Sequence, residues 1–436
     1  MQCRVLGLAV IVLGFLGIPA SLYAEDAAKY VTRAKAYMDQ DDIDKRIADR
    51  DKALAECDKA ITIDSKSADA YTTRGRAWLF KHDYDKAIAD CDKAMSFDPR
   101  FAEAYNIRGW AWFDRGDYGK SLADCNQAIA INPKLANAFC NRANVWSYWK
   151  GDYEKAAADY KRALEIKRDD WNTLNNLGVL YWKMAMTQNA KAAAAEAASD
   201  FKTAKACREK CVALKEDAKT QWIHGVKINP KATDIHSNLG YAYSDANDLD
   251  SAERHLTEAV RLKPISPRPR NNLGRVLLRR SQQRELEARE AEAKGKTDPV
   301  EAAKAKQLKG EAKTKLDAAI EQFEKAVELD PALLEAHLNL GEVYLSLNDL
   351  DKAESHYKAI LRLQSESIKD PEINANFSHA CFGLARVAIA RKDPDEATRN
   401  LQKAIELNPK NVAALQLLSS LRNPESRSAA KKSGNK

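Results

Sequence analysis

Eight cysteines offer the first chemistry to weigh. Three recur in phase: "AECDKAITIDS", "ADCDKAMSFDP" and "ADCNQAIAINP" set Cys57, Cys91 and Cys125 thirty-four residues apart. Thiols at fixed spacing can form disulfides, ligate zinc or carry redox chemistry. The same phase of later segments, however, holds Tyr160, Trp222, Leu256, Phe323, Tyr357 and Leu401, all large. A buried Cys behaves as a small hydrophobe. Equivalent positions on stacked helices lie at least about 8–10 Å apart, beyond the roughly 7 Å Cα limit for a disulfide. The expectation for these three is core packing. Cys207 and Cys211 in "ACREKC" stand one helical turn apart and supply at most half of a zinc site, with no His or Cys near in sequence to complete it. A thiol redox or metal role at Cys207 and Cys211 is kept as an alternative.

Other chemistry finds no motif. The chain has no Gly-rich phosphate loop, no H-E-x-x-H, no G-x-S-x-G and no C-x-x-C. Its seven His (His82, His224, His236, His255, His337, His356 and His379) are scattered, the pattern of solvated or capping residues. The reading is a non-enzyme with no catalytic residues, no metal and no cofactor.

The elements that position these residues are helices. With 17 Gly and 13 Pro in 436 residues and 31% charged side chains, the composition favours helix over sheet. The formal charge of +7 is spread over Lys, Asp and Glu pairs, which reads as solvated faces and gives no nucleic-acid footprint. Pro99 and Pro133, Pro230 and Pro264, and then Pro331 and Pro409 each follow an apolar helical pattern and stop it. Twenty-four residues before most of them comes Gly75, Gly109, Gly240 or Ala385, where two helices must approach closely.

"AYTTRGRAWLFKHDYDKAIADCDKAMSFDP", "AYNIRGWAWFDRGDYGKSLADCNQAIAINP" and "AHLNLGEVYLSLNDLDKAESHYKAIL" resemble tetratricopeptide repeats. The resemblance recurs in phase, giving nine repeats over residues 27–410, a capping helix at 411–422 and a polar, disordered tail at 423–436. It implies an all-α, right-handed solenoid whose inner groove binds peptides or partner proteins.

The repeats differ at two linked positions. Arg33, Arg74, Arg108 and Arg142 go with Glu56, Asp90, Asp124 and Asp159, whereas Leu177, Leu239, Leu273, Leu340 and Leu384 go with Gln221, His255, Gln322, His356 and Asn400. Arg accompanies an acid each time and Leu never does. The two positions should therefore face each other between paired helices, as an ion pair early in the array and as mainly apolar contact later.

Repeats five and seven carry Ala-, Glu- and Lys-rich insertions near 185–215 and 281–315, which favour helix. Growth of both helices by about fourteen to sixteen residues would make arms of roughly 21–24 Å. Two readings of these arms stand side by side: solvated decoration, or a second docking surface. At the other end, a positive start, the apolar run "VLGLAVIVLGFLGI" and "PASLYA" before "ED" read as a signal peptide over residues 1–24, cleaved after Ala24 or retained as an anchor. The expected location is exported, periplasmic or extracellular, with membrane anchoring confined to this N-terminal segment.

Just before the Leu or Arg of the first helices stand Asn141, Asn176, Asn238, Asn272 and Asn339. In the repeats of O-GlcNAc transferase, which this row resembles, an Asn ladder grips the backbone of an extended peptide. A carboxamide suits that task because it offers a donor and an acceptor together. Trp110, Trp182, Tyr241, Arg275 and Arg386 are expected beside the row as anchors. One residue before the Asn site, Thr72, Asn106, Cys140, Asn175, Ser237, Asn271, Leu338 and Phe382 supply no Lys, so a chaperone-type carboxylate clamp is not supported. The reading is a scaffold that binds peptides or proteins in its concave groove. The rival is a subunit of an envelope assembly acting through its arms and convex face.

Overall fold

The computed structural model describes residues 20–39, 43–296, 298–363 and 371–422. Most of the export segment and the 423–436 tail lie outside the described residues. Among those described are nineteen α-helices, eighteen of them in nine consecutive pairs. The first five pairs are α1 Ala20–Met38 with α2 Ile43–Ile63, α3 Ala68–Phe80 with α4 Tyr84–Phe97, α5 Ala102–Arg115 with α6 Tyr118–Ile131, α7 Ala136–Val145 with α8 Tyr153–Ile166, and α9 Trp171–Ala197 with α10 Phe201–Ile228. The others are α11 Thr233–Asp245 with α12 Leu249–Leu262, α13 Pro267–Gly295 with α14 Pro299–Leu329, α15 Leu334–Ser346 with α16 Leu350–Arg362, and α17 Pro371–Ala390 with α18 Pro394–Leu407, followed by α19 Val412–Arg422. The architecture is an all-α solenoid of helix pairs, extended in the fifth and seventh. It divides into two compact units, the first ending at Ile228 and the second beginning at Asn229.

The turn inside each ordinary pair follows one local rule. A residue with positive φ (His82, Gly116, Gly151, Asn247, Asn348 or Lys392) ends the first helix. An Asp follows, and the carboxylates of Asp83, Asp152, Asp248, Asp349 and Asp393 cap the next helix by accepting from its backbone N–H groups. In the fourth pair Arg142 and Asp159 are 17 residues apart, against 16 for Arg108 and Asp124. The extra residue is absorbed by a π-helical turn at Trp146–Lys150, which keeps both helices in register.

Each pair closes on the small residue. A Cβ added at Gly75 or Gly109 would stand 3.2 Å from the Sγ of Cys91 or Cys125, and at Gly274 or Gly341 2.6 Å from the ring of Phe323 or Tyr357. Cys57, Cys91 and Cys125 are fully buried. Burial pushes the thiols of Cys57 and Cys125 up to about 12, and that of Cys91 upward as well, so they stay protonated at neutral pH. They are packing residues.

The Arg and acid positions do meet. Arg74 donates from Nε and Nη2 to both carboxylate oxygens of Asp90 at 2.8 and 2.7 Å, Arg108 to Asp124 at 2.7 and 2.7 Å, and Arg142 to Asp159 at 2.8 and 2.7 Å. Arg33 and Glu56 form a looser pair at 3.8 Å. The remaining Nη1 of each bidentate Arg reaches the second helix of the preceding pair, at Asp58, Asp92 or Asn126. Each Arg also lies against the ring of Tyr71, Tyr105 or Phe139 one turn earlier. One guanidinium thus joins the two helices of its own pair and ties that pair to its neighbour.

Two stability outcomes follow. Asp124→Leu should cost about 2–3 kcal/mol, below the about 3–5 of a fully buried pair because Arg108 keeps 23% side-chain exposure and its bond to Asp92. The double change with Arg108→Leu should recover much of this in chemical denaturation, and equal losses for single and double variants would remove the coupling. Gly341→Ala should lower Tm through the clash with Tyr357, whereas Gly310→Ala, with nothing within 4 Å, should raise stability by about 0.5–1 kcal/mol.

Candidate functional site

The site is built on the first helix of each pair. Because the small residue points at the second helix, the Asn two positions before it and the side chain one position after it fall on the opposite part of the helix surface. In the first unit much of this surface is already bonded. Lys35 pairs with Asp69 at 2.6 Å, and Arg76 pairs with Asp39. Asn141 donates to Oδ1 of the buried Asn106 at 2.8 Å, and Cys140 lies 2.9 Å from the Thr173 hydroxyl. Trp110 packs edge-on against Phe80, with ring centroids 5.6 Å apart. Asn176 is half-buried and makes no hydrogen bond among the described residues.

Trp182, expected as an anchor on the groove wall, touches the second helix of its own pair. Its ring lies tilted against that of Trp222, with centroids 5.9 Å apart, and takes Lys215 over its face at 5.2 Å, so it meets α10 at the base of the first arm. Trp222 in turn donates to the Asn175 carbonyl at 3.2 Å.

The second unit is more open. Asn339 donates to Oδ1 of the buried Asn271 at 2.8 Å, Asn238 and Asn272 are half-buried, and Tyr241 is 38% exposed. Arg275 is exposed and has no ion pair or hydrogen bond among the described residues. Arg386 pairs with Glu342 at 2.6 Å, while Glu342 also accepts from the Tyr357 hydroxyl at 2.9 Å. Around Arg386 lies a shallow, solvent-open apolar pocket of about 700 Å³ lined by Leu345, Phe382, Arg386, Ile389 and Leu417. Reading repeats singly misses it, because one wall is the capping helix α19.

Four of the seven His are not scattered as the sequence suggested. His236 and His255 approach at 3.0 Å between their Nδ1 atoms, and His337 and His356 at 3.1 Å. The other ring nitrogen of His236 and His337 faces the carbonyl of Pro230 and Pro331, so Nε2–H donates there. In the neutral pair Nδ1 of His236 or His337 must then accept from Nδ1–H of its partner. Tyr243 and Tyr344 stack flat on His255 and His356. Burial, with the neighbouring His second, draws His255 and His356 down to about 4, and burial also lowers His337. The visible signal was a shared spacing of nineteen residues in the sixth and eighth repeats.

For the thiol alternative, Cys211 is buried and Cys207 half-buried. Among the described residues no group of three His, Cys, Asp or Glu is placed to hold a metal ion. No described helix is long and apolar enough to cross a membrane.

Tetratricopeptide repeat models match residues 102–135, 237–299, 334–367 and 378–411, and a TPR repeat model matches 148–184 and 312–348. Human Protein O-mannosyl-transferase TMTC3 is 24% identical over 218 residues, which are 46% of this chain and 23% of that protein. Soybean (Glycine max) Hsp70-Hsp90 organizing protein 1 is 27% identical over 229 residues, 50% of this chain and 40% of that protein. The chain thus spans less than half the length of these curated relatives. Among solved structures, that of Pseudomonas aeruginosa pilF aligns with a TM-score of 0.41 at 16% identity, over 57% of this chain and 96% of its own. YrrB, described as a TPR protein with an unusual peptide-binding site, aligns at 0.32 and 18%, over 48% of this chain and 92% of its own.

The His pairs make a pH dependence. An unfolded His titrates near 6.5, so between about 6.5 and about 4 the unfolded chain binds more protons than the folded one. The stabilisation is complete above about 6.5 and is lost as pH falls through the folded value. The drop in Tm between pH 7 and pH 5 should be smaller in the double variant His255→Gln, His356→Gln, whose amides can still donate to His236 and His337. Identical drops would show that the pairs do not titrate in this window.

Proposed function

Because this chain is built from tetratricopeptide repeats, we propose that it is a non-catalytic scaffold binding peptide or protein partners along the first-helix faces of its units. The observation that carries this reading is the row of carboxamides on those faces, with Asn176 and Asn272 uncommitted to any hydrogen bond among the described residues. An uncommitted amide can donate to a peptide carbonyl and accept from a peptide N–H, gripping a backbone whatever its side chains. Tyr241 and Arg275 beside the row supply rigid aromatic and cationic anchors. A scaffold role accords with the name of the soybean relative. The amino-terminal sequence supports export, with residues 1–24 as a signal or an anchor and the scaffold working in the cell envelope or outside it.

The test is capture from an envelope extract by the full chain, read by mass spectrometry. Beside it run a five-site variant with Ala at Asn141, Asn176, Asn238, Asn272 and Asn339, and a milder Asn176→Ala, Asn272→Ala variant. Circular dichroism monitors folding, since Asn141 and Asn339 also satisfy buried partners. Partners held by the wild type should be lost by the five-site variant and weakened at least about fivefold by the milder one. Full retention by folded variants would move the binding site off these faces.

A further inference from the structure

One helix of the second unit carries an unusual charge arrangement. Arg268, Asn272 and Arg275 follow at i, i+4 and i+7 on α13, hence on one face, which points away from the contact of Gly274 with Phe323. The other arginines of this helix up to Arg284 are engaged. Arg270 bonds the Pro264 carbonyl and Gln322, Arg279 bonds Ser244 and Asn247, Arg280 pairs with Asp250 and Glu253, and Arg284 pairs with Glu287 and Glu311. Arg268 and Arg275 are exposed and have no ion pair or hydrogen bond among the described residues, and Asn272 between them has none either.

The neighbours restrict what can sit there. At the place of Arg268, the flanking first helices carry Asp234 on α11 and Glu335 on α15, both exposed. At the place of Arg275, α15 carries Glu342, already bound to Arg386 and Tyr357. Arginine without an ion pair is therefore confined on this face to α13, with an acid on α11 at the level of Arg268 and acids on α15 at both levels. A polyanion such as RNA, with a phosphate at every residue, would set negative charge against those carboxylates. A peptide with one acidic side chain over α13 would not.

We infer that this face takes an extended peptide whose acidic side chain lies between Arg268 and Arg275 and whose large apolar side chain fills the open pocket of Leu345, Phe382, Ile389 and Leu417. Asn272 sits between the two arginines to hold the backbone. Two first-helix spacings of about 9 Å separate α13 from α17, which about five or six extended residues at roughly 3.3 Å each would span. The inference rests on the groove reading above and names the partner class for its second unit.

The probe is a fluorescein-labelled decapeptide, capped at both ends, with Asp at position two, Phe at position eight and Ser, Ala and Gly elsewhere. It is titrated with the full chain by anisotropy. Controls are the same peptide with Asp→Asn, the same with Phe→Ala, and a labelled ten-nucleotide poly(A) RNA. The Asp peptide should bind at least about fivefold tighter than the Asn peptide and about tenfold tighter than the Ala peptide. Added salt should erase the first difference and keep the second. In the Arg268→Gln, Arg275→Gln variant the Asp peptide should fall to the affinity of the Asn peptide, with the Asn peptide unmoved. No binding, equal affinity for Asp and Asn peptides, or tighter binding of RNA would each overturn the inference. If the five-site Asn variant loses its captured partners while the Arg268→Gln, Arg275→Gln variant keeps them, this inference falls and the groove reading stands. If the five-site variant keeps them, the groove reading falls.

Discussion

Everything in this protein depends on how closely the two helices of a pair approach at one small residue. Gly or Ala there lets Cys, Leu, Phe, Tyr or Trp of the second helix lie directly on the first helix's backbone. Neither helix can bury its apolar stripe alone, so the pair, and then the stack of pairs, is the smallest unit that excludes water. Once the small residue faces inward, helical geometry assigns every other position. The residue before it reaches sideways to the second helix and the neighbouring pair, while the Asn row turns to the opposite side.

The sideways position has two chemical solutions. In the early repeats it is an Arg held in a fork by the second helix and extended to Asp58, Asp92 or Asn126 of the pair before. In the later repeats it is a buried Leu, and the freed polar position of the second helix turns elsewhere, to His236 for His255 and to His337 for His356. The first solution is strong and geometrically specific because a guanidinium matches a carboxylate with two parallel bonds. The second buries neutral imidazoles, which tolerate burial better than charges do.

The arms obey the same close-packing rule over longer helices. Ala288 and Ala291 of α13 pack on Ala305 and Leu308 of α14, and Ala192 and Ala204 are buried in the first arm. Small side chains let the two helices of each hairpin approach without a large core. Asp200 and Asp298 begin the returning helices by accepting from backbone N–H groups.

The repeat phase, the helix pairs and the Arg–acid partners were legible in the sequence because each recurs at a fixed spacing set by the repeat. The inward place of the cysteines was legible for the same reason, since a residue type that alternates with Leu, Phe and Tyr at one phase must share their surroundings. Which Asn are uncommitted was not legible: Asn141 and Asn339 are drawn to buried amides of the preceding pair, and that depends on the offset between pairs. Nor were the His pairs, the contact of Trp182 with Trp222, or the open pocket that α19 walls on one side. Sequence by itself determined the backbone path and the face each residue occupies, because both repeat with the helix. Only tertiary structure decided which side chain meets which across pairs, because rotamers and neighbouring surfaces settle that contact by contact.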